Sequence, residues 1–294
     1  MKNRFLCTIV LALLLVSAAQ ATDYFWRYTD GTSCGGEGSW WPGAGVPFAV
    51  DNDWSNQYNW AGQWVEDPPG VWKPGFGVPT ASDNTEFNRQ TYTEVGTGDA
   101  AVCARIYVGT DWTHTLGVVG GTLTVGGQVI LGRGGGTLGS MYIGGGTTSV
   151  ADDLIVGGGG VPSWGWGPGV GDLDMAGGIV NIVGSLVVGG TETDGEVSQT
   201  GTGTFTIDGG LLVAMGLTIE TGSHMGVYDD GLVVLAGDQL DLVNGYIQGG
   251  LLYGLASIAD SGPYEGNTVI ETPEPATLTL FTLAGIALLR RRKM

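Results

Sequence analysis

The chain has 294 residues, 56 of them glycine, and a formal net charge of −18 from eleven basic and twenty-nine acidic residues. Such a balance repels nucleic acid and anionic polysaccharide, which excludes a nucleic-acid-binding role. Glycine far above the average of about 7%, without a triplet period and alternating with Val, Leu, Ile and Thr, excludes collagen and a flexible linker.

The first element is a targeting segment. Lys2 and Arg4 precede an apolar stretch from Phe5 to Val16, and Ala19-Gln20-Ala21 is a small-x-small cleavage site. This predicts a secretory signal peptide over 1–21, cut after the Ala19/Ala21 pattern, and export through the Sec translocon. Cys7 has no cleavage site before it, so it is not a lipoprotein anchor. Residues 22–272 then carry five basic against twenty-eight acidic side chains, a charge of −23. Cys34 and Cys103 survive export and form a candidate disulfide in an oxidising compartment; two separate buried thiols are the alternative.

Residues 22–100 read as a Trp-rich β cap region. Seven of the ten tryptophans fall within 22–80, among them Trp54 and Trp60. The stretch Trp54-Ser-Asn-Gln-Tyr-Asn-Trp60, with Gly77-Val-Pro79, Asp83 and Phe87 after it, is similar to the leader of autotransporter-associated β-strand repeats. That resemblance implies a cap or first coil. Large aromatics cover an open core end, and they also stack on sugar rings, so both roles are open.

Residues 101–260 read as Gly-rich repeats. Four stretches align without gaps, beginning at Gly121, Gly146, Gly178 and Gly203, with offsets of 25, 32 and 25 residues. Seven inserted residues around Gly160-Val-Pro-Ser-Trp-Gly-Trp-Gly-Pro-Gly169 account for the longer step. Apolar residues alternate, as at Leu123/Val125 and Phe205/Ile207, which is the period of a half-buried strand. Strand-like character continues to Gly245-Tyr-Ile-Gln-Gly249, and no segment of 22–272 carries a long helical stripe or good caps. A fixed period near 25 predicts an all-β, parallel, right-handed β-solenoid of about six coils. The rival is an antiparallel sandwich, which the constant register disfavours. Residues 261–272 read as a linker.

Chemistry is sparse. Carboxylates pair at Asp152/Asp153, Asp172/Asp174, Asp229/Asp230 and Asp238/Asp241, and solvated corner acids are the ordinary reading. His114 and His224 lack metal-ligand spacing, and no calcium-loop motif occurs. No cofactor is expected, although an acidic surface would welcome calcium, and no catalytic residue is nominated. An insertion that projects from a repeat is a natural binding loop, so Trp164 and Trp166 are candidate glycan contacts.

The final element, 273–294, is a sorting tail. Pro273-Glu274-Pro275 is followed by fourteen uncharged residues, Ala276 to Leu289, then Arg290, Arg291, Arg292 and Lys293. As a helix this segment spans about 21 Å, short for a bilayer core of about 30 Å. The basic cluster would act as a cytoplasmic stop on a short transmembrane helix. Thr272-Pro273-Glu274-Pro275-Ala276-Thr277-Leu278 and Arg290-Arg291-Arg292 resemble the two ends of the PEP-CTERM sorting signal of Gram-negative bacteria. The resemblance implies sorting by an exosortase, a membrane-embedded cysteine transpeptidase-like enzyme. It also implies an association with exopolysaccharide and biofilm. The expected protein is exported, transiently held in the inner membrane and then placed at the cell surface. Its expected role there is structural or adhesive rather than enzymatic, with exopolysaccharide binding as the alternative.

Overall fold

The computed structural model describes residues 23–26, 60–61, 64–66, 72–74, 79–87, 91–110, 113–134, 136–159, 167–194 and 197–272. They are mostly β-strand, with one short helix. The signal segment, Cys34, Trp164, Trp166 and the tail from Pro273 onward lie outside them.

Two parallel sheets take up the chain alternately. The first sheet stacks Asn84–Phe87, Arg105–Val108, Val129–Leu131, Leu154–Val156, Ser185–Val188 and Gly216–Ile219 in sequence order. Asp23–Trp26 adds a further parallel strand to it, and Trp60–Ala61 pairs antiparallel at the edge. The second sheet stacks the intervening, longer segments: Thr91–Val95 with Ala100–Cys103, then His114–Val125 and Leu138–Val150. It continues with Val170–Met175 and Ile179–Ile182, then Thr202–Ala214 and His224–Leu235. The ladders therefore take in Asn84–Phe87 and Thr91–Val95, which the sequence reading placed in the cap region.

Side chains alternate in and out along each strand, so parallel pairing in constant register stacks like positions into columns. Met141, Thr148 and Leu154 stand for three of them. Above and below Met141 lie Leu116 and Leu173, then Phe205 and Met225. Thr148 continues Leu123 and precedes Val180, Leu212 and Val233. Leu154 sits between Val129 and Leu186. All of these side chains are buried. The alternation read at Leu123/Val125 and Phe205/Ile207 is this inward face.

Sharp corners separate the sheets. Gly109, Gly132, Gly157 and Gly189 each follow a strand of the first sheet, and each has a positive φ between 68° and 85°. A Cβ at Gly157 would also strike the backbone of Thr202. Only glycine fits both demands.

Repeat lengths correct one expectation. His114 pairs with Gly139, a step of 25 residues. Leu138 pairs with Val170, a step of 32, consistent with the expected insertion. The next step is also 32, from Val170 to Thr202, because a hairpin of Thr191–Asp194 and Val197–Thr200 is inserted there. Gly203 therefore pairs with Gly171, not Gly178, and Leu211 pairs with Ile179. The pattern Gly-x-apolar-x-apolar occurs twice per repeat, at Gly171 and Gly178, so a gapless alignment slips by seven residues without penalty.

Val170–Met175 and Ile179–Ile182 both pair with the same two long strands, which closes a circuit of four. Their registers continue each other, since Leu138 faces Val170 and Thr147 faces Ile179. The circuit is thus one line of backbone broken at Ala176–Gly178.

The C-terminal end corrects two further expectations. Gly245-Tyr-Ile-Gln-Gly249 is not a strand but the end of the helix Leu240–Gln248. Val243 is buried and Tyr246 and Ile247 pack on the core, a helical spacing hidden inside a β-rich stretch. Gln239 ties the helix start to the last repeat, its Nε2 donating to the Met215 and Ala236 carbonyls at 2.8 and 3.0 Å. Within the expected linker, Thr268–Glu271 is a strand with Thr268, Val269 and Ile270 buried. It lies antiparallel between Leu232–Leu235 and Leu255–Ile258. An antiparallel strand changes the spacing of backbone donors and acceptors, so the parallel stack ends there.

Thr148 points its hydroxyl into the core with no hydrogen-bond partner among the described residues. Thr148→Val should stabilise the fold by about 1 kcal/mol, read as a melting rise of roughly 2–4 °C. Leu154→Ala in the facing column should cost about 2–5 kcal/mol by denaturant unfolding.

Candidate functional site

The outward face of the second sheet carries the polar chemistry. Ser140, Asp172, Thr204 and His224 form one outward column, and Tyr142, Asp174, Thr206 and Gly226 form the next, which ends at Tyr253. Asp172 and Asp174 stand two residues apart on one strand and share this face. Burial, and then the carboxylate of Asp174, pushes Asp172 above the usual carboxylate range. Burial, and then Asp208, does the same to Asp174.

At the C-terminal end this face deepens into a groove of about 520 Å³. Thr204, Thr206 and His224 line one side, and Ile247, Leu251 and Tyr253 line the other, where the helix ends. Tyr228 and Tyr253 remain 39% and 49% exposed, yet their rings stack with centroids 5.1 Å apart and planes at 21°. Tyr228 folds back over Gly226, where any Cβ would collide with its ring.

A bulge sets that arrangement. Ile207 pairs with Val227, but Gly209 pairs with Asp230, so the strand His224–Leu235 holds one extra residue. Asp229 has φ of 46°, the only positive value on a non-glycine residue among those described. In the preceding repeats the positive φ at this corner falls on Gly146, Gly178 and Gly210, and the register partner of Gly210 here is Gly231. The bulge follows directly on Tyr228, where such features commonly adjust a neighbouring side chain.

The other sequence candidates separate. Asp153 is a corner acid, its Oδ1 accepting the Ser185 N–H at 2.8 Å from the next repeat. Asp238 accepts the Leu240 N–H at 3.2 Å, and Asp241 sits in the first turn of the helix. His114 is buried, stacked on Phe87 at 4.8 Å, with Nε2 3.0 Å from Thr93 Oγ1, so it belongs to the core. Cys103 is a free, buried thiol in the column of Val125. Burial pushes it up to about 12, and Asp83 adds to the rise while a Thr85 hydrogen bond opposes it. Cys34, Trp164, Trp166, Ala19, Ala21, Pro273, Glu274, Pro275 and the cluster Arg290 to Lys293 lie outside the described residues. Among the described residues no three His, Cys, Asp or Glu side chains converge on a metal-sized point.

No motif or spacing in the sequence marks Tyr228, Tyr253, Thr204 or Thr206. The available signal was local: Gly226-x-Tyr228 and Tyr142-x-Gly144 place an aromatic two residues from a glycine that its ring covers.

Residues 271–293 match the model of the PEP-CTERM protein-sorting motif. That motif indicates an exported protein, transiently anchored in a membrane and sorted by an exosortase, a membrane enzyme. No curated protein and no solved structure matches the chain. Among the described residues no helix is long and apolar enough to cross a membrane.

Two outcomes follow from the titrating groups. A carboxylate raised in the folded state holds its proton more tightly there. Asp172 and Asp174 thus lower stability at neutral pH, and this penalty fades as pH falls from their raised values toward 3.8. Asp172→Asn or Asp174→Asn should raise the melting temperature at pH 7 and change little near pH 3.5. Solvent screening keeps the effect on the order of 0.5 kcal/mol or less. Separately, Cys103 should resist iodoacetamide at pH 8 until the protein is unfolded, read by peptide mass mapping.

Proposed function

We propose that the chain is an exported, non-catalytic structural protein of the cell surface or extracellular matrix, built as a right-handed parallel β-solenoid. The supporting observation is the alternation of successive segments between two parallel sheets in constant register. Such a stack is stiff, since every repeat is hydrogen-bonded to the next and every inward column is filled. Its acidic surface keeps neighbouring copies soluble and apart. A signal peptide over 1–21 would carry the chain through the Sec translocon. The PEP-CTERM tail would then hold it at the inner membrane of a Gram-negative cell, with Arg290 to Lys293 on the cytoplasmic side, until an exosortase acts at Pro273-Glu274-Pro275.

The reading is tested by producing the full chain in a Gram-negative host with and without an exosortase. The expected result is a loss of mass matching removal of the tail, with transfer to the surface or matrix fraction, only when the enzyme is present. The combined variant Pro273→Ala/Glu274→Ala/Pro275→Ala should stay at full mass in the inner membrane. Equal release of variant and wild type, or a product confined to the periplasm, would overturn the proposal.

A further inference from the structure

We infer that the groove at the C-terminal end of the second sheet is a binding site for an uncharged linear saccharide. It combines two features that such a ligand needs. Tyr228 and Tyr253 offer a stacked, exposed aromatic surface, and the apolar face of a sugar ring packs on such a surface. Across from them, the Thr204 and Thr206 hydroxyls and the His224 imidazole face the same groove and supply donors and acceptors for ring hydroxyls.

The groove is built rather than incidental. Tyr228 lies over Gly226, which leaves room for its ring, and a bulge with a left-handed Asp229 follows directly in the strand. A non-glycine residue at positive φ is strained backbone, which the surrounding structure must hold in place. The positive φ falls on Asp229 in the repeat that carries the groove, whereas in the preceding repeats it falls on Gly146, Gly178 and Gly210.

Charge selects among saccharides. Asp172 and Asp174 stand in the columns that run into the groove, and Asp208 and Asp230 lie on the strands beside it. Arg105 belongs to a strand of the other sheet, and Arg133 lies over the Tyr107 ring of that sheet at 4.4 Å. Among the described residues no Lys or Arg lines the groove, so an anionic sugar would meet these carboxylates and a neutral ligand is favoured. The outward columns run on from the groove along the sheet past Asp174 to Tyr142, a path that suits a segment of a chain rather than a single free monosaccharide.

The test titrates the full chain, purified in a non-glycosidic detergent, with neutral linear hexasaccharides of glucose, mannose, galactose and N-acetylglucosamine. Hexagalacturonate at equal ionic strength is the anionic comparison. The expected result is saturable binding of at least one neutral hexasaccharide by calorimetry, with hexagalacturonate at least tenfold weaker. Tyr228→Ala and Tyr253→Ala should each weaken it tenfold or more without moving the melting temperature, since both rings are exposed. Tyr253→Phe should retain binding, and Thr206→Val should weaken it severalfold. Absence of saturation across the neutral set, equal binding of hexagalacturonate, or binding that survives both Tyr→Ala changes would overturn the site. None of these results bears on sorting or on the structural role proposed above.

Discussion

Backbone hydrogen bonds in the two parallel ladders run from each repeat to the next. A residue's neighbours are therefore set by register rather than by distance along the chain. A slip of one residue in any repeat would turn its whole inward set to solvent. The columns of Met141, Thr148 and Leu154 are consequences of that constraint, and so are the corner glycines Gly109, Gly132, Gly157 and Gly189 after four strands of the first sheet. The same constraint explains how insertions are tolerated. The longer step from Leu138 to Val170 and the hairpin at Thr191–Asp194 and Val197–Thr200 add length between strands while leaving the inward columns in step.

With the interior fixed, variation is confined to the outward positions. One outward column runs Ser140, Asp172, Thr204, His224, and no packing demand selects among these side chains. The site arises where the repetition weakens. In the repeat of His224–Leu235 one residue is added ahead of the corner glycine Gly231, the positive φ falls on Asp229, and the next strand of the first sheet gives way to a helix. Those departures coincide with the concave surface at the end of the sheet.

What the sequence made legible follows the same division. Alternation at Leu123/Val125 and Phe205/Ile207 located the inward face because burial acts on every second residue in each repeat. The constant spacing of Gly121 and Gly146 located the period. Beyond that the repetition misled: two like patterns seven residues apart, at Gly171 and Gly178, let the alignment slip. The helix Leu240–Gln248 was hidden because its apolar contacts rest on few residues, led by Val243, and Gly245 within it reads as a corner. The groove was not legible at all. Tyr228 and Tyr253 stand on separate strands with a helix between them in the chain, and they meet because Gly226 pairs with Tyr253 and leaves room for the Tyr228 ring.

The closing strand joins the fold to its sorting signal with almost no spacer. Thr268–Glu271 is fixed by its buried face, and Thr268 links Gly237 and Gln239, accepting the Gln239 N–H at 2.7 Å and donating to the Gly237 carbonyl at 3.1 Å. Thr272 Oγ1 donates to the Val227 carbonyl at 3.0 Å, and the sorting motif begins at Glu271. Pro273 and Pro275 lack N–H groups, so the ladder cannot continue through them whatever follows. The strand that ends the parallel stack is thus also the attachment point of the tail. A tether pulling on the tail loads an antiparallel strand paired on both sides, with Leu232–Leu235 and with Leu255–Ile258, rather than an open edge. Strand pairs of this kind share load across several hydrogen bonds at once, so the cap that stops the stack from growing also suits it to be held by its end.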